Sequence, residues 1–433
     1  MATSPRGLFR SLWRLVAILL LVAACGDRRG GIPALTWYIN PDNGGQGRLA
    51  AKCTKDANGA YRIDLQMLPS TADAQREQLV RRLAGRDTSI DLMSLDPPFV
   101  AEFANAGFLH EIRRDDDVAS LTDGVLEAPL RAAYWNGTLV AVPLWANTQL
   151  LWFRKSVAAA AGVDPTGEDF TWQDAIAAAE RLGKVVAVQG DRYEGYVVWI
   201  NALIISSGGT ILADPAAGAA ATPAIASAAG DRAAEIVGGL ARSPAAAPDV
   251  ATAREEEARA AFQGERGGFM VNWPYVWSAA RDAVRAGSLA QSVVDDIGWA
   301  RYPRTESGRP SRPPLGGIDV AIGAFTQHPE LALRAMRCIT SLESQIQLML
   351  DTGLPAARAA AFDHPAVRQL LPMAPLIRES IAEAGARPLT PYWVDVSAAV
   401  QRSWHPPAAV REPGTPQASA RLITDVLQGR VLL

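Results

Sequence analysis

The sequence predicts an α/β fold organised in two lobes, and three features lead to that prediction. Along the first third of the chain, short segments rich in β-branched and aromatic residues alternate with segments of helical spacing, which is typical of parallel βαβ units. Beyond residue 143 this character changes, and residues 213–250 consist mostly of Ala, Gly and Pro. Residues 316–325 return to a strand pattern. The chain therefore begins one lobe, builds a second and comes back to the first.

Strands of the first lobe are predicted at residues 34–40, 61–68 and 89–96, where apolar residues alternate or run continuously. A helix is predicted over residues 71–85, because its apolar residues have helical spacing and it ends at a glycine. Residues 139–155 form the most apolar extended segment. In open α/β sheets ligands bind at the carboxyl ends of the strands, so residues that follow the strands are candidates for a site.

In the second lobe, Thr171 is predicted to cap an amphipathic helix that ends at residue 183. Residues 197–209 read as a buried helix, and residues 258–277 as a helix, a turn and a strand. Residues 301–317 are rich in Pro, Gly and Arg, which predicts either a connection between lobes or a functional loop. Two further helices are predicted at residues 328–340 and 341–353.

The N-terminus, "LLLVAACGDRRGG" at residues 19–31, has the features of an export signal. Three arginines precede an apolar run of roughly ten residues, about half of what a transmembrane helix needs. The residues before Cys25 resemble a bacterial lipobox, so we expect residues 1–24 to be removed as a signal peptide and Cys25 to carry a lipid. The alternative is a plain signal peptide with an incidental cysteine. Residues 25–34 would then form a flexible tether.

Charge and hydropathy restrict the class of partner. The chain has 42 basic and 45 acidic residues, a formal net charge of −3, and loss of the arginine-containing signal peptide makes it more acidic. An acidic protein is not expected to bind nucleic acid. Since no other apolar run approaches the roughly 20 residues of a membrane span, we expect the remainder to be a tethered exoprotein.

Three cysteines are present, and their number bears on the redox state. If Cys25 is acylated, Cys53 and Cys338 remain as an even pair in an oxidising compartment, and we expect them to form a disulfide. Two buried free thiols are the alternative. A disulfide would bring residues near 340 beside residues near 50.

Sequence signatures of catalysis are lacking. The four histidines lie far apart, at 110, 328, 364 and 405, and neither they nor the cysteines have zinc-ligand spacing. Neither a phosphate-binding loop nor a Gly-x-Ser-x-Gly motif occurs. We therefore expect no metal, no cofactor and a binding protein instead of an enzyme. A glycoside hydrolase needs only two suitably spaced carboxylates, and the 45 acidic residues leave that alternative open.

The 12 tryptophans are the feature most suggestive of a ligand, because several stand beside amides and acids, as in "LWANTQLLWF" and "VNWPYVW". An aromatic face covers the apolar side of a pyranose ring, while Asn, Gln, Asp, Glu and Arg bind its hydroxyl groups. Any single Trp is more typical of a core position, so the clusters carry the argument.

Segments from about residue 35 to about residue 400 resemble the extracellular solute-binding proteins of carbohydrate ABC importers. The segments are "TWYIN", "SIDLMSLDPPFVAEFANAGFLHEI", "VPLWANTQLLWFRK", "FTWQDAIAAAERL", "NWPYVW" and "GGIDVAIGAFTQHPELALRAMRCITSLESQIQLMLDTGLPAAR". The resemblance implies the two-lobed class II periplasmic-binding-protein fold, with a central cleft and a hinge. It also implies a monomer outside the cytoplasmic membrane that delivers sugar to permease subunits with a cytoplasmic ATPase. Lobe 1 would comprise residues 35–143 and 315–350, and lobe 2 residues 144–314 and 351–433.

Within that family, "LDPPFVAEFANAG", "EGYVVWINAL", "EEEARAAF" and "ARPLTP" are most similar to mycobacterial trehalose-binding lipoproteins. Both mature cysteines fall at the disulfide positions of those proteins, and the ligand implied is trehalose. The sugar contacts implied are Asp42 or Asn43, Gln75, Asp96, Asn147, Glu255, Trp273, the Gly317 backbone and Arg387. The loop "NPDNGGQG" departs from the family pattern, which leaves the choice between Asp42 and Asn43 open, and the segment between Trp277 and Gly316 is shorter.

Alternatives remain for individual residues and for the function. Asp96 is also suited to cap a helix, and Glu194 is equally consistent with a helix-start acid and with a sugar contact. Arg387 lies in a Pro-rich loop, where an exposed Arg would be ordinary. For the function, the alternatives are a receptor for another, maltose-type oligosaccharide, a surface-anchored glycoside hydrolase and an adhesive lipoprotein.

Overall fold

The computed structural model describes residues 31–42 and 44–433. The predicted signal peptide, Cys25 with its predicted lipid, the first part of the predicted tether and Asn43 lie outside the described residues. Within the described ranges, no helix combines the length and apolar character needed to cross a membrane.

Two sheets organise the chain, and their strands come from different parts of the sequence. The first sheet has the order β2-β1-β3-β11-β6, and the second has the order β10-β7-β9-β8. A small hairpin of β4 and β5 stands apart. The strands are β1 (Ala34–Ile39), β2 (Arg62–Met67), β3 (Leu92–Leu95), β4 (Tyr134–Trp135), β5 (Thr138–Leu139), β6 (Ala141–Thr148), β7 (Leu150–Arg154), β8 (Val185–Ala187), β9 (Gly267–Asn272), β10 (Ile297–Ala300) and β11 (Leu315–Ile322).

Helices cover both sheets. Those up to residue 132 and those at residues 329–352 accompany the first sheet in sequence, and the rest accompany the second sheet or follow it. The helices are α1 (Gly45–Asp56), α2 (Ala72–Ala84), α3 (Pro97–Asn105), α4 (Asp115–Thr122), α5 (Glu127–Ala132), α6 (Lys155–Ala161), α7 (Trp172–Leu182), α8 (Glu194–Ser206), α9 (Ala228–Arg242), α10 (Glu255–Gln263), α11 (Tyr275–Arg285), α12 (Gln291–Asp295), α13 (Pro329–Ile339), α14 (Leu342–Thr352), α15 (Pro365–Leu370), α16 (Ala374–Ala382), α17 (Trp393–Trp404) and α18 (Gly414–Leu427).

The first sheet is parallel at one side and antiparallel at the other. β1 pairs in parallel with β2 and β3, as the βαβ pattern predicts, whereas β11 runs antiparallel to β3 and β6. Because β11 follows β10 of the second sheet along the chain, residues 301–314 connect the two lobes. This is one of the two roles predicted for the Pro-rich loop.

The chain also passes between the lobes from β6 to β7, which are separated only by Gln149. The Gln149 side chain is buried, and its amide donates to Gln189 at 2.8 Å, which in turn donates to the Val271 carbonyl oxygen at 2.9 Å. An apolar cluster that includes residues of α15 and α16 packs at this crossing, together with Ala146 and Leu150. The strand positions do not define exact lobe boundaries, so those given in the sequence analysis remain predictions.

Local chemistry explains the helix starts that the sequence analysis identified. The Thr171 hydroxyl accepts from the Asp174 backbone N–H, and the Asp174 carboxylate accepts from the Thr171 N–H, so a capping box begins α7. The almost continuously buried α8 agrees with the predicted buried helix. Lacking a polar face, α8 is buried between other elements of the second lobe, with α9 and α17 packed against it.

A disulfide joins Cys53 of α1 to Cys338 of α13, with the two Cα atoms 5.8 Å apart and 285 positions between them in sequence. The predicted pairing is confirmed. The disulfide links α13, which follows the return of the chain to the first lobe, to α1, the first helix of that lobe. α1 also contacts α14.

We predict that the double substitution Cys53→Ser and Cys338→Ser lowers the free energy of unfolding by about 2–5 kcal/mol, because the unfolded chain loses a cross-link that closes a long loop. Urea unfolding monitored by circular dichroism would measure the difference. Under reducing conditions the parent protein should match the double variant. Equal unfolding midpoints for the oxidised parent and the variant would contradict this expectation.

Candidate functional site

A cavity of about 700 Å³ lies between the two lobes. The first lobe contributes the ends of β1 and β3, the start of α2 and the β6–β11 pair, and the second lobe contributes the starts of α8 and α10 and the residue after β9. These are mainly strand ends and helix starts, where α/β sheets place ligands. The second lobe therefore closes over the carboxyl edge of the first sheet.

Six of the predicted site residues meet in this cavity. They are Asp96, Asn147, Glu255, Trp273, Gly317 and Arg387. The other two described residues lie elsewhere. The Asp42 carboxylate accepts from the backbone N–H groups of Gly44 and Gln46 at the start of α1, and the Gln75 amide donates to the Pro69 carbonyl oxygen. Asn43 lies outside the described residues, so the choice between it and Asp42 remains open.

A buried ion bridge crosses the cavity. The Arg387 guanidinium donates to an Asp96 oxygen at 2.7 Å and to a Glu194 oxygen at 2.8 Å. Asp96 directly precedes α3 of the first lobe, and Glu194 begins α8 of the second lobe. One side chain thus joins carboxylates from both lobes. The Arg387 side chain is only 5% exposed, contrary to the ordinary expectation for an Arg in a loop.

The bridge gives Asp96 and Glu194 a partner that the sequence analysis did not foresee, and a sugar contact stays a prediction for both. Asp96 occupies the position before α3 but makes no side-chain capping bond, and one oxygen of its carboxylate accepts from Arg387. Glu194 stands in the first turn of α8, where a negative charge is favourable, and it lines the cavity as well. Its carboxylate further accepts from the Trp393 indole N–H at 2.9 Å and from the Ser397 hydroxyl.

Burial dominates the electrostatics around this bridge. Burial raises the pKa of Asp96, Arg387 opposes that rise, and Glu194 adds to it. For Arg387, burial alone would lower the pKa, but the two carboxylates outweigh it and raise the pKa above its ordinary value. The guanidinium therefore stays charged in the folded protein.

The second-lobe wall is positioned by Asn272, the last residue of β9. Its buried side-chain amide donates to the Glu255 carbonyl oxygen at 2.9 Å, and its side-chain oxygen accepts from the Trp273 backbone N–H at 2.8 Å. One residue thus fixes the start of α10 and the backbone of Trp273 together. Burial raises the pKa of Glu255 in spite of the neighbouring Tyr193, Trp273 and Arg254.

Two glycines of β11 are required by close packing at the cavity floor. A Cβ on Gly316 would come within 2.9 Å of the Trp273 ring, and a Cβ on Gly317 would come within 2.3 Å of the Trp145 carbonyl oxygen. Gly317 also has a φ of +133°, a conformation that side chains disfavour. The floor therefore admits backbone but no side chain at these positions, and Trp273 lies directly over it.

A buried polar network holds the first-lobe wall. Gln46 of α1 is fully buried, and its amide donates to the carbonyl and side-chain oxygens of Asn40, which lines the cavity. The Gln46 side-chain oxygen accepts from the Ser94 hydroxyl, which accepts from the Trp37 indole N–H. This chain of bonds ties β1, β3 and α1 together at the strand ends.

Among the cavity residues that the sequence analysis did not name are Asp73 and Tyr193. Asp73 lies in the first turn of α2, two positions before the predicted Gln75. An acidic residue shortly after strand β2 is the sequence signal that could have identified it. Partial desolvation of its carboxyl, then Glu194 and Asp96, raise the pKa of Asp73 to about 6, although Asp73 is an exposed residue. Burial, and then the neighbouring Glu255, raise the pKa of the Tyr193 hydroxyl, and no sequence signal marks this residue.

The arrangement is suited to binding polyhydroxylated ligands. Two cavity carboxylates, those of Asp73 and Glu255, stand on opposite walls and form no ion pair among the described residues. Carboxylates of this kind accept hydrogen bonds from hydroxyl groups, and Trp273 offers an aromatic surface. In the part of the chain that the structure describes, no group of three or more His, Cys, Asp and Glu residues is arranged to hold a metal ion.

Comparisons with known proteins agree with this geometry. The sequence profile of the family "Bacterial extracellular solute-binding protein" matches residues 51–346. A "Probable ABC transporter-binding protein" of Deinococcus radiodurans is 24% identical over 377 residues, which cover 82% of this chain and 84% of the relative.

Solved structures show the same fold. Maltose-bound MalE3 of T. maritima superposes with a TM-score of 0.77 at 23% identity, covering 92% of this chain and 100% of that one. The GacH receptor of Streptomyces glaucescens, solved without ligand and with acarbose, gives a TM-score of 0.74 at 18% identity, with coverage of 92% and 98%. The prediction of a two-lobed binding-protein fold is thereby confirmed.

We predict that Arg387→Met lowers the free energy of unfolding by about 3 kcal/mol, because it leaves Asp96 and Glu194 buried without their cation. Chemical denaturation would measure the loss. Arg301→Met is the matched control, since Arg301 is 47% exposed in its pairs with Glu379 and Glu383 and should cost less than about 1 kcal/mol. Equal losses for the two variants would contradict the importance of the bridge.

The raised pKa of Asp73 predicts that the free energy of unfolding depends on pH. Because its pKa is about 6 in the folded protein against 3.8 for an ordinary Asp, the folded state holds more protons between these values, and stability falls as pH rises through them. Asp73→Asn should therefore stabilise the protein at about pH 8, by about 1 kcal/mol after allowance for solvent exposure. At about pH 3 the substitution should have little effect.

Urea unfolding at both pH values would test this expectation. Asp64→Asn, on the exposed edge strand β2, is the control and should leave the pH profile of the parent unchanged. A gain from Asp73→Asn that is the same at both pH values would contradict the assigned cause.

Proposed function

Because the chain belongs to the bacterial extracellular solute-binding protein family, we propose that it is the lipid-anchored receptor of an ABC importer and that it captures a disaccharide, trehalose or a close relative. The family comprises binding proteins, so the chain is a receptor and not an enzyme. The observation that carries the proposal is the cavity between the lobes, where Trp273 and the carboxylates of both lobes meet.

The cavity chemistry supports a neutral sugar. Its volume of about 700 Å³ lies within the usual range for small-molecule sites. Trp273 can cover one face of a pyranose ring, while Asn147, Glu255 and Asp73 supply amide and carboxylate groups for hydroxyl groups. Since acids outnumber cations along the cavity wall, an uncharged ligand that donates hydrogen bonds is favoured over an anionic one.

Further observations support the sugar ligand and the lipid anchor. The solved neighbours are described with maltose and with acarbose, which favours a saccharide and keeps a maltose-type ligand as the alternative to trehalose. Trehalose itself rests on the resemblance of the sequence segments. The lipid anchor rests on Cys25, which lies outside the described residues, and it would hold the receptor at the outer face of the membrane beside its permease.

Calorimetric titration with trehalose, maltose, cellobiose and sucrose tests the ligand. We expect trehalose to bind most tightly, because the resemblance points to it, and maltose to be the strongest competitor. A preference for maltose would replace trehalose by the alternative ligand. Failure of every disaccharide to bind would refute the proposed ligand class.

We predict that Trp273→Ala and Asp96→Ala each weaken disaccharide binding at least about tenfold, which is about 1.4 kcal/mol. Trp273→Ala removes the aromatic surface, and Asp96→Ala removes a hydroxyl acceptor and the anchor of Arg387. Trp135→Ala, in the β4–β5 hairpin outside the cavity, is the matched control and should leave affinity unchanged. Unaltered affinity in Trp273→Ala would exclude the proposed contact.

A further inference from the structure

A second cavity, also of about 700 Å³, lies in the second lobe and shares no lining residue with the cleft. It is formed by one face of α11, by α12 and β10, by the start of α6, and by the end of α15 with the segment that follows it. We call it the outer cavity. The lining residues used below are Lys155, Trp277, Arg281, Arg285, Asp295 and Trp299.

Two tryptophans form the apolar part of the outer cavity. The rings of Trp277 and Trp299 meet edge to face, with centroids 5.4 Å apart, and both residues are half-buried. Six other tryptophans are fully buried core residues, whereas this pair keeps partial access to solvent, as Trp273 does in the cleft. The Trp277 indole N–H donates to the Leu370 carbonyl oxygen at 3.1 Å, whereas the Trp299 indole N–H has no hydrogen-bond partner within the described ranges.

Positive charge is in excess around this aromatic pair. Arg285 pairs with Asp282, and Asp295 accepts a hydrogen bond from Gln291. Lys155 and Arg281, by contrast, donate only to backbone carbonyl oxygens, those of Asp295 and Leu370. Among the residues that the structure describes, neither of these two cations has a carboxylate partner within 4.0 Å.

We propose that the outer cavity is a second saccharide site, and that it takes an anionic pyranose, such as a uronic acid or a sugar phosphate. The solvent-accessible parts of the two half-buried indoles provide the surface on which a pyranose ring stacks. Lys155 and Arg281 provide the cations for a carboxylate or phosphate, and a guanidinium binds such groups with two parallel hydrogen bonds. The free indole N–H of Trp299 is a donor for a ring hydroxyl or for the anion.

The opposite charges of the two cavities separate their ligands. The cleft wall carries more acids than cations, whereas the outer cavity has Lys155, Arg281 and Arg285 against Asp295 as its only lining acid. An anionic sugar is therefore repelled from the cleft and attracted to the outer cavity. Both sites can be filled at once, because no residue lines both.

The test uses the full-length protein with excess trehalose and maltose present, so that the cleft is occupied by whichever of them binds. D-Glucuronic acid is then titrated, with D-glucose as the neutral counterpart, and both ligand-detected NMR and tryptophan fluorescence are followed. We expect glucuronic acid to bind at least about tenfold more tightly than glucose and to lose this advantage at high salt. Equal binding of the two sugars, or displacement of glucuronic acid by the disaccharides, would overturn the proposal.

Substitutions assign the site. Arg281→Gln should weaken glucuronic acid binding at least about fivefold, and Trp299→Ala should do the same. Trp299→Phe keeps a ring and serves where the alanine variant does not fold; it should retain part of the affinity. Arg301→Gln makes the same charge change outside the cavity and should have no effect, so equal behaviour of the Arg281 and Arg301 variants would also overturn the proposal. Disaccharide affinity should stay at the parent value in all four variants.

Discussion

The ion bridge made by Arg387 joins the two lobes across the cavity, and the shape of the cleft depends on it. Burying three charges is costly, and a buried ion pair is favourable only when the remaining hydrogen-bonding capacity is also satisfied. Here the Glu194 carboxylate is further engaged by Trp393 and Ser397 of α17. The bridge therefore joins α3, α8 and α17, which come from three distant parts of the sequence, and it forms one wall of the cavity.

The sheet crossing explains why the cavity lies where it does. The chain leaves the first sheet through β6 and enters the second through β7 after a single residue, and it returns by residues 301–314 into β11. β6 and β11 are neighbours in the first sheet, so both connections start beside each other at the cavity floor. Rotation of one lobe against the other would be concentrated at this point, and the ligand would lie directly over it. A small motion at the crossing would then open or close the whole cleft.

Much of the fold is predictable from the sequence because its signals are local. Thr171 with Asp174 specifies a helix start, and the alternation of residues 61–68 specifies a strand. The site is less predictable, because it depends on contacts between lobes. That Asp96 binds Arg387 instead of capping α3, and that Arg387 is buried, follows only from the approach of residues 291 positions apart. Asp42 and Gln75 have the chemistry of sugar-binding residues, but in the structure their side chains form hydrogen bonds with nearby backbone groups. The sequence does not reveal such local bonds.

Asp73 shows that a side chain placed to bind ligand can lower the stability of the protein. Desolvation of its carboxyl raises the pKa of Asp73 and so opposes ionisation. Burial has the same effect on Glu255, which lies on the opposite wall. Neither carboxylate forms an ion pair among the described residues, so the ionised form of each costs stability. Ligand hydroxyl groups would relieve that cost by donating to both, one from each lobe. The groups that cost stability are therefore those that would hold the lobes around a sugar, and ligand binding would in this way favour closure.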